Sequence, residues 1–137
     1  MSELSVLITE QVKRAIEKHA LDTQPSECCG LLSGANGVIS DVHRLPNEAA
    51  RPDVRFFATP EDLFAAMRRM REANQSLLGI YHSHPRSAAY PSASDVEMAF
   101  YPEALYFIIS LEPRVELRAF RIQGATIREV VVVSSCP

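Results

Sequence analysis

Residues 82–95 read HSHPRSAAYPSASD, and they closely follow a short apolar run, LLGI, at 77–80. The apolar run has the length and composition of a buried strand, so we expect His82 and His84 near the end of that strand. Side chains two residues apart on a strand point to the same side, so the two histidines face together. Two imidazoles on one side of a strand can bind one metal ion. On its own, however, an H-x-H pair is more often two separate structural histidines, because short motifs recur by chance.

The polar segment that follows adds a carboxylate. Ser92 and Asp95 form an S-x-x-D pattern ahead of an amphipathic run, which is typical of a capped helix start. This interpretation gives Asp95 a structural role only. Capping the helix and binding a metal are compatible roles for Asp95. A carboxylate in the first turn of a helix is held rigidly, and a short loop can bring it beside the histidine pair. Two imidazole nitrogens, one carboxylate oxygen and a water form a catalytic zinc site with an open position.

Length and composition limit the classes of function. The 137 residues predict one domain, spanning 1–137, with one hydrophobic core. The net charge of −3 gives no electrostatic footprint for nucleic acid, and no apolar run is long enough to span a membrane. The N-terminus lacks the apolar region of a signal peptide, and three cysteines do not make a disulfide framework. We therefore expect a cytoplasmic protein that binds neither nucleic acid nor membrane, with a homodimer left open.

Hydrophobic periodicity predicts helices and strands in a layered arrangement. Helices are expected over 9–20, 59–74 and 92–104, and strands over 28–34, 37–47, 54–58, 77–84, 105–112, 114–123 and 127–134. In the second helix, Thr59 is the expected cap, and the buried stripe is expected to comprise Leu63, Phe64, Met67 and Met70. The last three strands are spaced like antiparallel hairpins. The pattern favours an α+β or α/β layered domain with a mixed or largely antiparallel sheet.

The complete spacing resembles a known metalloprotease signature. H-x-H, seven residues, S, two residues and D is the motif of the JAMM domain, also called MPN+ or Mov34/JAB, and every defining position is filled between His82 and Asp95. The segment PSECCGLLSG is also similar to this family, with Glu27 at the position of the family's upstream catalytic glutamate. The resemblance extends from about residue 10 to about residue 120.

The resemblance implies a fold and a mechanism. The fold is an α/β layered α-β-α sandwich with a mixed, largely antiparallel sheet, similar to the cytidine deaminase fold. In the implied site, His82, His84 and Asp95 bind Zn²⁺. Glu27 is the general base that passes a proton to the leaving amine, and Ser92 donates a hydrogen bond to the developing oxyanion.

The resemblance also implies a substrate. The chain looks most like the small bacterial members of the family, which act on small ubiquitin-fold sulfur carriers. The expected reaction is hydrolysis of a peptide or isopeptide bond after the C-terminal glycine of a ubiquitin-like or sulfur carrier protein, which is the expected partner. The segment at 51–58 is a candidate for binding the carrier's tail by strand addition.

Two other classes of function are weighed against this one. A non-catalytic scaffold of the same fold would bind partners without chemistry, and the complete set of five site residues argues against it. A relative associated with DNA repair is disfavoured by the acidic net charge.

Overall fold

The computed structural model describes residues 5–135. Its elements, in chain order, are β1 (Ser5–Thr9), α1 (Glu10–Thr23), β2 (Cys29–Ala35), β3 (Val38–Leu45), α2 (Pro60–Glu72), β4 (Ser76–His84), α3 (Ala93–Glu97), β5 (Leu105–Ser110), β6 (Glu116–Gln123) and β7 (Thr126–Ser135). Within this range no helix has both the length and the apolar character that crossing a membrane requires.

A single mixed sheet organises these elements. The strands lie in the order β1-β3-β2-β4-β5-β6-β7, and β1 also pairs with β7, so that the sheet closes. The β4–β5 pair and both pairs made by β1 are parallel, and the remaining pairs are antiparallel. The predicted mixed sheet is therefore confirmed. The layered sandwich stays a prediction, and the structure adds that β1 closes the sheet by pairing with β7. The similarity to the cytidine deaminase fold stays a prediction.

The two long helices pack on opposite faces of the central strands. Successive side chains of β4 alternate between the faces, so Tyr81 packs in the cluster that contains Ile16 of α1, whereas Ile80 packs in the cluster that contains Met70 of α2. Burial on both faces explains why β4 reads as a continuous apolar run rather than an alternating one. The burial extends to the C-terminal end of β4, where His82 and His84 are also buried.

Helix α2 begins as predicted but buries a different stripe. The Thr59 hydroxyl oxygen accepts a hydrogen bond from the Asp62 N–H at 3.1 Å. Ala66 and Met70 are buried, whereas Phe64 is 71% exposed, so its predicted place in the buried stripe is wrong. Two residues correspond to about 200° around a helix, so with Ala66 at the centre of the buried face Phe64 points to solvent.

The predicted strand at 54–58 is wrong. This stretch belongs to the connection between β3 and α2, residues 46–59, in which the structure has no strand. The Phe57 N–H donates to the side chain of Asn47, and the Phe57 carbonyl accepts from the Glu48 N–H at 2.8 Å. The N–H and carbonyl of Phe57 thus form hydrogen bonds within the connection and not with a neighbouring strand.

The predicted helix over 92–104 is also too long, since α3 ends at Glu97. The Tyr101 N–H donates to the Tyr106 hydroxyl at 2.9 Å instead of to a preceding carbonyl, and Pro102 has no N–H to continue a helix.

Strand β1 was not predicted. It has five residues, and its pairing with β3 and β7 joins segments that are far apart in the sequence.

Candidate metal centre and adjoining cleft

Two neighbouring strand ends bring the first site residues together. β2 and β4 are antiparallel with Cys29 opposite His82, a register that places Glu27, just before β2, opposite His84. Ser83 points to the other side, and its buried hydroxyl accepts a hydrogen bond from the Cys28 N–H at 2.8 Å. The reading of the histidine pair as facing one side of a strand is therefore confirmed.

Helix α3 presents the carboxylate through a complete capping box. The Ser92 hydroxyl oxygen accepts from the Asp95 N–H at 3.1 Å, and Asp95 Oδ2 accepts from the Ser92 N–H at 2.9 Å. The reciprocal bonds fix the side chain of Asp95, which is only 11% exposed. The capping interpretation is thus confirmed, and the same geometry aims the carboxylate at the histidines.

The three side chains converge at one point. His82 Nε2 lies 3.2 Å from Asp95 Oδ1, and His84 Nε2 lies 3.1 Å from Asp95 Oδ2. The two Nε2 atoms are themselves 3.1 Å apart. In the part of the chain that the structure describes, this is the group of His, Cys, Asp and Glu side chains with the spacing of a metal centre.

The hydrogen bonding of His84 tests whether these residues fit a metal ion. Its Nδ1 lies 2.8 Å from the Ala88 carbonyl, which can only accept, so Nδ1 carries the proton. A neutral His84 ring then directs its Nε2 lone pair at His82 and at the Asp95 carboxylate. Electron pairs this close need a positive charge among them, which is either a proton on Nε2 or a metal ion. Two imidazoles and a carboxylate form a donor set that suits a divalent metal ion.

The three side chains shift one another's pKa values. Burial acts against the charged form of His84, but its hydrogen bonds with Asp95 and the Ala88 carbonyl outweigh burial and raise the pKa of this ring. Burial lowers the pKa of His82, although the hydrogen bond to Asp95 opposes this effect. Burial also acts against the charged form of Asp95, but its contacts with the two histidines are stronger and hold the pKa of that carboxyl well below its usual range. Asp95 is therefore ionised throughout the neutral pH range.

Glu27 lies beside the cluster, and its carboxyl differs from that of Asp95 in having a raised pKa. The residue is 6% exposed, and burial raises the pKa of its carboxyl to about 7, with Asp95 adding to the rise and His84 opposing it. Its carboxylate accepts no hydrogen bond from residues 5–135. Glu27, His84 and Ser92 line one cleft of about 390 Å³. A buried carboxyl that titrates near neutral pH next to such a cluster can both accept and release a proton.

Asn47 is a site-supporting residue that the sequence reasoning missed. Its amide nitrogen donates to the carbonyls of Glu27 at 3.0 Å and Arg55 at 2.9 Å, and its oxygen accepts from the backbone of Ala49 and Phe57, each at 3.0 Å. An asparagine before a Pro-containing loop is an ordinary turn residue, so nothing local in the sequence distinguished it.

The remaining histidines and the two adjacent cysteines lie outside the cluster. His19 Nδ1 lies 2.7 Å from the Tyr81 hydroxyl, and His43 Nε2 lies 2.8 Å from the Ser33 hydroxyl. The two cysteines at 28–29 are each 1% exposed and pack in the core. Burial raises the pKa of both thiols, so neither is ready to bind a metal as thiolate.

Comparison with known proteins identifies the family. The family described as prokaryotic homologs of the JAB domain matches residues 9–123. The chain belongs to this family. It is 33% identical over 132 residues to the CysO-cysteine peptidase of Mycobacterium tuberculosis, which covers 93% of this chain and 90% of that protein. It is 34% identical over 110 residues to the desampylase of Haloferax volcanii, which covers 79% of this chain and 78% of that protein.

Solved structures agree with the JAB assignment. Protein DSY2949 from Desulfitobacterium hafniense superimposes with a TM-score of 0.86 at 31% identity, covering 96% of this chain and 94% of that one. AF2198, a JAB1/MPN domain protein from Archaeoglobus fulgidus, gives a TM-score of 0.63 at 20% identity, covering 96% of this chain and 100% of that one. At 20% identity, the similarity to AF2198 shows a shared fold and nothing more. The family resemblance and the JAB/MPN fold predicted from the sequence are confirmed.

Proposed function

We propose that this protein is a zinc-dependent metallopeptidase that acts on a ubiquitin-like or small sulfur carrier protein. The bond hydrolysed is a peptide or isopeptide bond after the carrier's C-terminal glycine. One observation carries the proposal: His82, His84 and Asp95 converge beside a buried, unpaired carboxyl, Glu27, at an open cleft. The substrate class is supported by the relatives, one named for a CysO-cysteine linkage and another as a desampylase.

Zinc is the ion that best suits the donor set. His82 and His84 would bind it through Nε2, and Asp95 through its carboxylate. Zinc held there supplies a Lewis acid and lowers the pKa of its water to about 7, which makes hydroxide available near neutral pH. The His84 Nδ1 bond to the Ala88 carbonyl fixes the tautomer that zinc requires.

Glu27 moves the proton. It accepts the proton of the attacking water and passes it to the leaving amine, so one carboxyl acts first as base and then as acid. Burial without a hydrogen-bonding partner is what keeps the pKa of this carboxyl near 7 rather than near 4.5. The register of β2 on β4 holds Glu27 opposite His84, within reach of the same cleft.

Ser92 stabilises the transition state. Its oxygen already accepts the Asp95 N–H as the helix cap, and its O–H remains available to donate into the cleft that it lines. A donor aimed at the developing oxyanion lowers the barrier without binding the ground state more tightly. Ser92 therefore combines capping with a direct contact to the substrate.

Replacing Ser92 tests the second of these roles. Ser92→Ala should lower kcat by about a hundredfold, the usual cost of one oxyanion donor, with zinc content close to one per chain. Ser92→Thr is the matched control, since it keeps both the hydroxyl and the cap, and it should retain most activity. Steady-state kinetics and metal analysis check the pair. Loss of zinc in parallel with kcat in Ser92→Ala would instead assign Ser92 a capping role only.

The alternative is a non-catalytic scaffold of the same fold. A scaffold gains nothing from an unpaired carboxyl in a buried position, because desolvating such a group costs stability. It also has no use for a rigidly capped aspartate aimed at two histidines. The enzyme is therefore the better supported of the two. A single domain over 1–137, a cytoplasmic location and a homodimer stay predictions.

Cleavage of defined carriers tests the proposed function. Zinc-loaded protein is incubated with a panel of ubiquitin-like carriers whose terminal glycine bears either a peptide extension or an isopeptide-linked amine. Intact mass spectrometry should show at least one carrier shortened to its terminal glycine. Chelation of the metal should stop the reaction. If every carrier stays intact while the protein holds one zinc per chain, the carrier assignment is wrong.

A further inference from the structure

The two histidines of the metal centre differ in how their rings are held. His84 is oriented by the hydrogen bond from Nδ1 to the Ala88 carbonyl. The Nδ1 atom of His82 is buried and has no hydrogen-bond partner among residues 5–135. Metal-binding histidines normally gain their orientation from such a bond on the second ring nitrogen. The ring of His82 must therefore be held by another contact.

An aromatic ring supplies that contact. Phe56 stacks on His82 with ring centroids 4.5 Å apart and an angle of 24° between the planes. A stacked ring restricts rotation about the last side-chain torsion of His82, which is the motion that a hydrogen bond on Nδ1 would prevent. Phe56 is half-buried and packs against the core cluster that contains Ile80 and Met70, so its own position is constrained.

One side chain, that of Asn47, forms hydrogen bonds on both sides of Phe56. Asn47 donates to the carbonyl of Arg55 at 2.9 Å and accepts from the N–H of Phe57 at 3.0 Å, and these residues flank Phe56 on both sides. The same amide donates to the carbonyl of Glu27 at 3.0 Å. The segment 46–59 has no strand or helix before α2. Besides the Asn47 bonds, it is held by the Glu27 N–H donating to the Pro52 carbonyl at 2.7 Å and the Glu48 N–H donating to the Phe57 carbonyl at 2.8 Å.

We propose that Phe56 is a positioning residue for His82, and that Asn47 acts through Phe56 by fixing residues 46–59 against the start of β2. The inference rests on the proposed zinc site. It assigns no contact with substrate to either residue. The consequence is that zinc affinity depends on an aromatic side chain that cannot itself bind the metal.

Zinc affinity of three variants tests the role of Phe56. The dissociation constant for Zn²⁺ is measured by competition with a chromophoric chelator on metal-free protein whose melting temperature is recorded. Phe56→Leu should weaken zinc binding by about 10- to 100-fold, the usual cost of losing a supporting contact. Phe56→Tyr keeps the ring face and should stay within about threefold of the wild type. Phe57→Leu, at the exposed neighbouring phenylalanine, is the control and should change little.

A combined variant tests the role of Asn47. Asn47→Ala should also weaken zinc binding, and Asn47→Ala with Phe56→Leu should bind zinc about as well as Phe56→Leu alone, because both act through one contact. If Asn47→Ala does not fold, Asn47→Asp replaces it, since aspartate still accepts from Phe57 but cannot donate to the carbonyls. Losses that multiply in the combined variant would overturn the assignment of Asn47.

The outcomes also separate this inference from the proposed function. Unchanged zinc affinity in Phe56→Leu, or equal losses in Phe56→Leu and Phe56→Tyr, would overturn the positioning role whether or not carriers are cleaved. A wild-type protein that binds no zinc would overturn the proposed function and this inference with it. Zinc binding that follows the expected order supports the positioning role even if the carrier remains unidentified.

Discussion

Glu27→Gln should remove most turnover and leave zinc binding intact. Glutamine has the size of the glutamate and remains beside His84, but it cannot accept the proton of the attacking water. General acid–base catalysis contributes on the order of 10²- to 10⁴-fold, so kcat should fall by that factor. Single-turnover cleavage of the carrier, with zinc content measured on the same sample, checks both halves of the expectation. Glu17→Gln, at an exposed position of α1, is the matched control and should behave like the wild type.

In the metal-free protein, Glu27→Gln should also change how stability depends on pH. Burial raises the pKa of the Glu27 carboxyl to about 7 in the folded chain, above its ordinary value of 4.5. A raised carboxyl pKa favours folding below the ordinary value, and this contribution is lost as the pH rises through 7. Glutamine does not ionise. Above pH 7, metal-free Glu27→Gln should therefore be more stable than the wild type by about 1–3 kcal/mol, with the difference vanishing near pH 4.

Denaturant unfolding at pH 4.5 and pH 8 measures this difference. Equal stabilities of wild type and variant at pH 8 would mean that Glu27 ionises without cost in the folded protein. Near-normal turnover in Glu27→Gln would remove the residue from the mechanism altogether. The two readouts are independent, because one needs zinc and substrate and the other needs neither.

Asp95→Asn should abolish both zinc binding and turnover. An asparagine oxygen can still accept from the Ser92 N–H, so the cap of α3 is retained while the negative charge aimed at His82 and His84 is lost. A neutral amide is a poor zinc ligand, and carboxylate donors are part of the expected set. We expect less than about a tenth of the wild-type zinc after dialysis, with no cleavage above background.

The control for this variant is the same substitution, aspartate to asparagine, at a position away from the metal centre. Asp41→Asn changes an exposed aspartate of β3 and should leave zinc content and activity unchanged. Far-ultraviolet circular dichroism should show the fold preserved in both variants. Full zinc occupancy in Asp95→Asn would mean that the metal is bound elsewhere, and the capping box would then be the whole role of Asp95.

The sequence predicted the candidate site more completely than it predicted the fold around it. The spacing from His82 to Asp95 was informative, because a strand end and a capped helix start have fixed side-chain directions. The facing histidines and the aimed carboxylate follow from those local rules, and the structure has both. Glu27 was also singled out from the sequence as the general base, but its burial was not predicted and is known only from the structure.

The features that the sequence did not predict depend on contacts between distant segments. β1 closes the sheet through pairs with β3 and β7, which no local pattern contains. The segment 54–58 has strand-like composition, yet its backbone bonds to the Asn47 side chain and to nearby backbone groups of residues 48 and 51, so it stays a loop. The stacking of Phe56 on His82 is a consequence of that loop. Such contacts are set by tertiary packing, which overrides local propensity.

The most direct measurement is anomalous X-ray diffraction at the zinc absorption edge, on crystals grown with Zn²⁺ in excess. We predict one strong peak within bonding distance of His82 Nε2, His84 Nε2 and the Asp95 carboxylate, about 2.0–2.2 Å from each. A well-ordered cluster with no anomalous peak among these three side chains would contradict the zinc peptidase assignment.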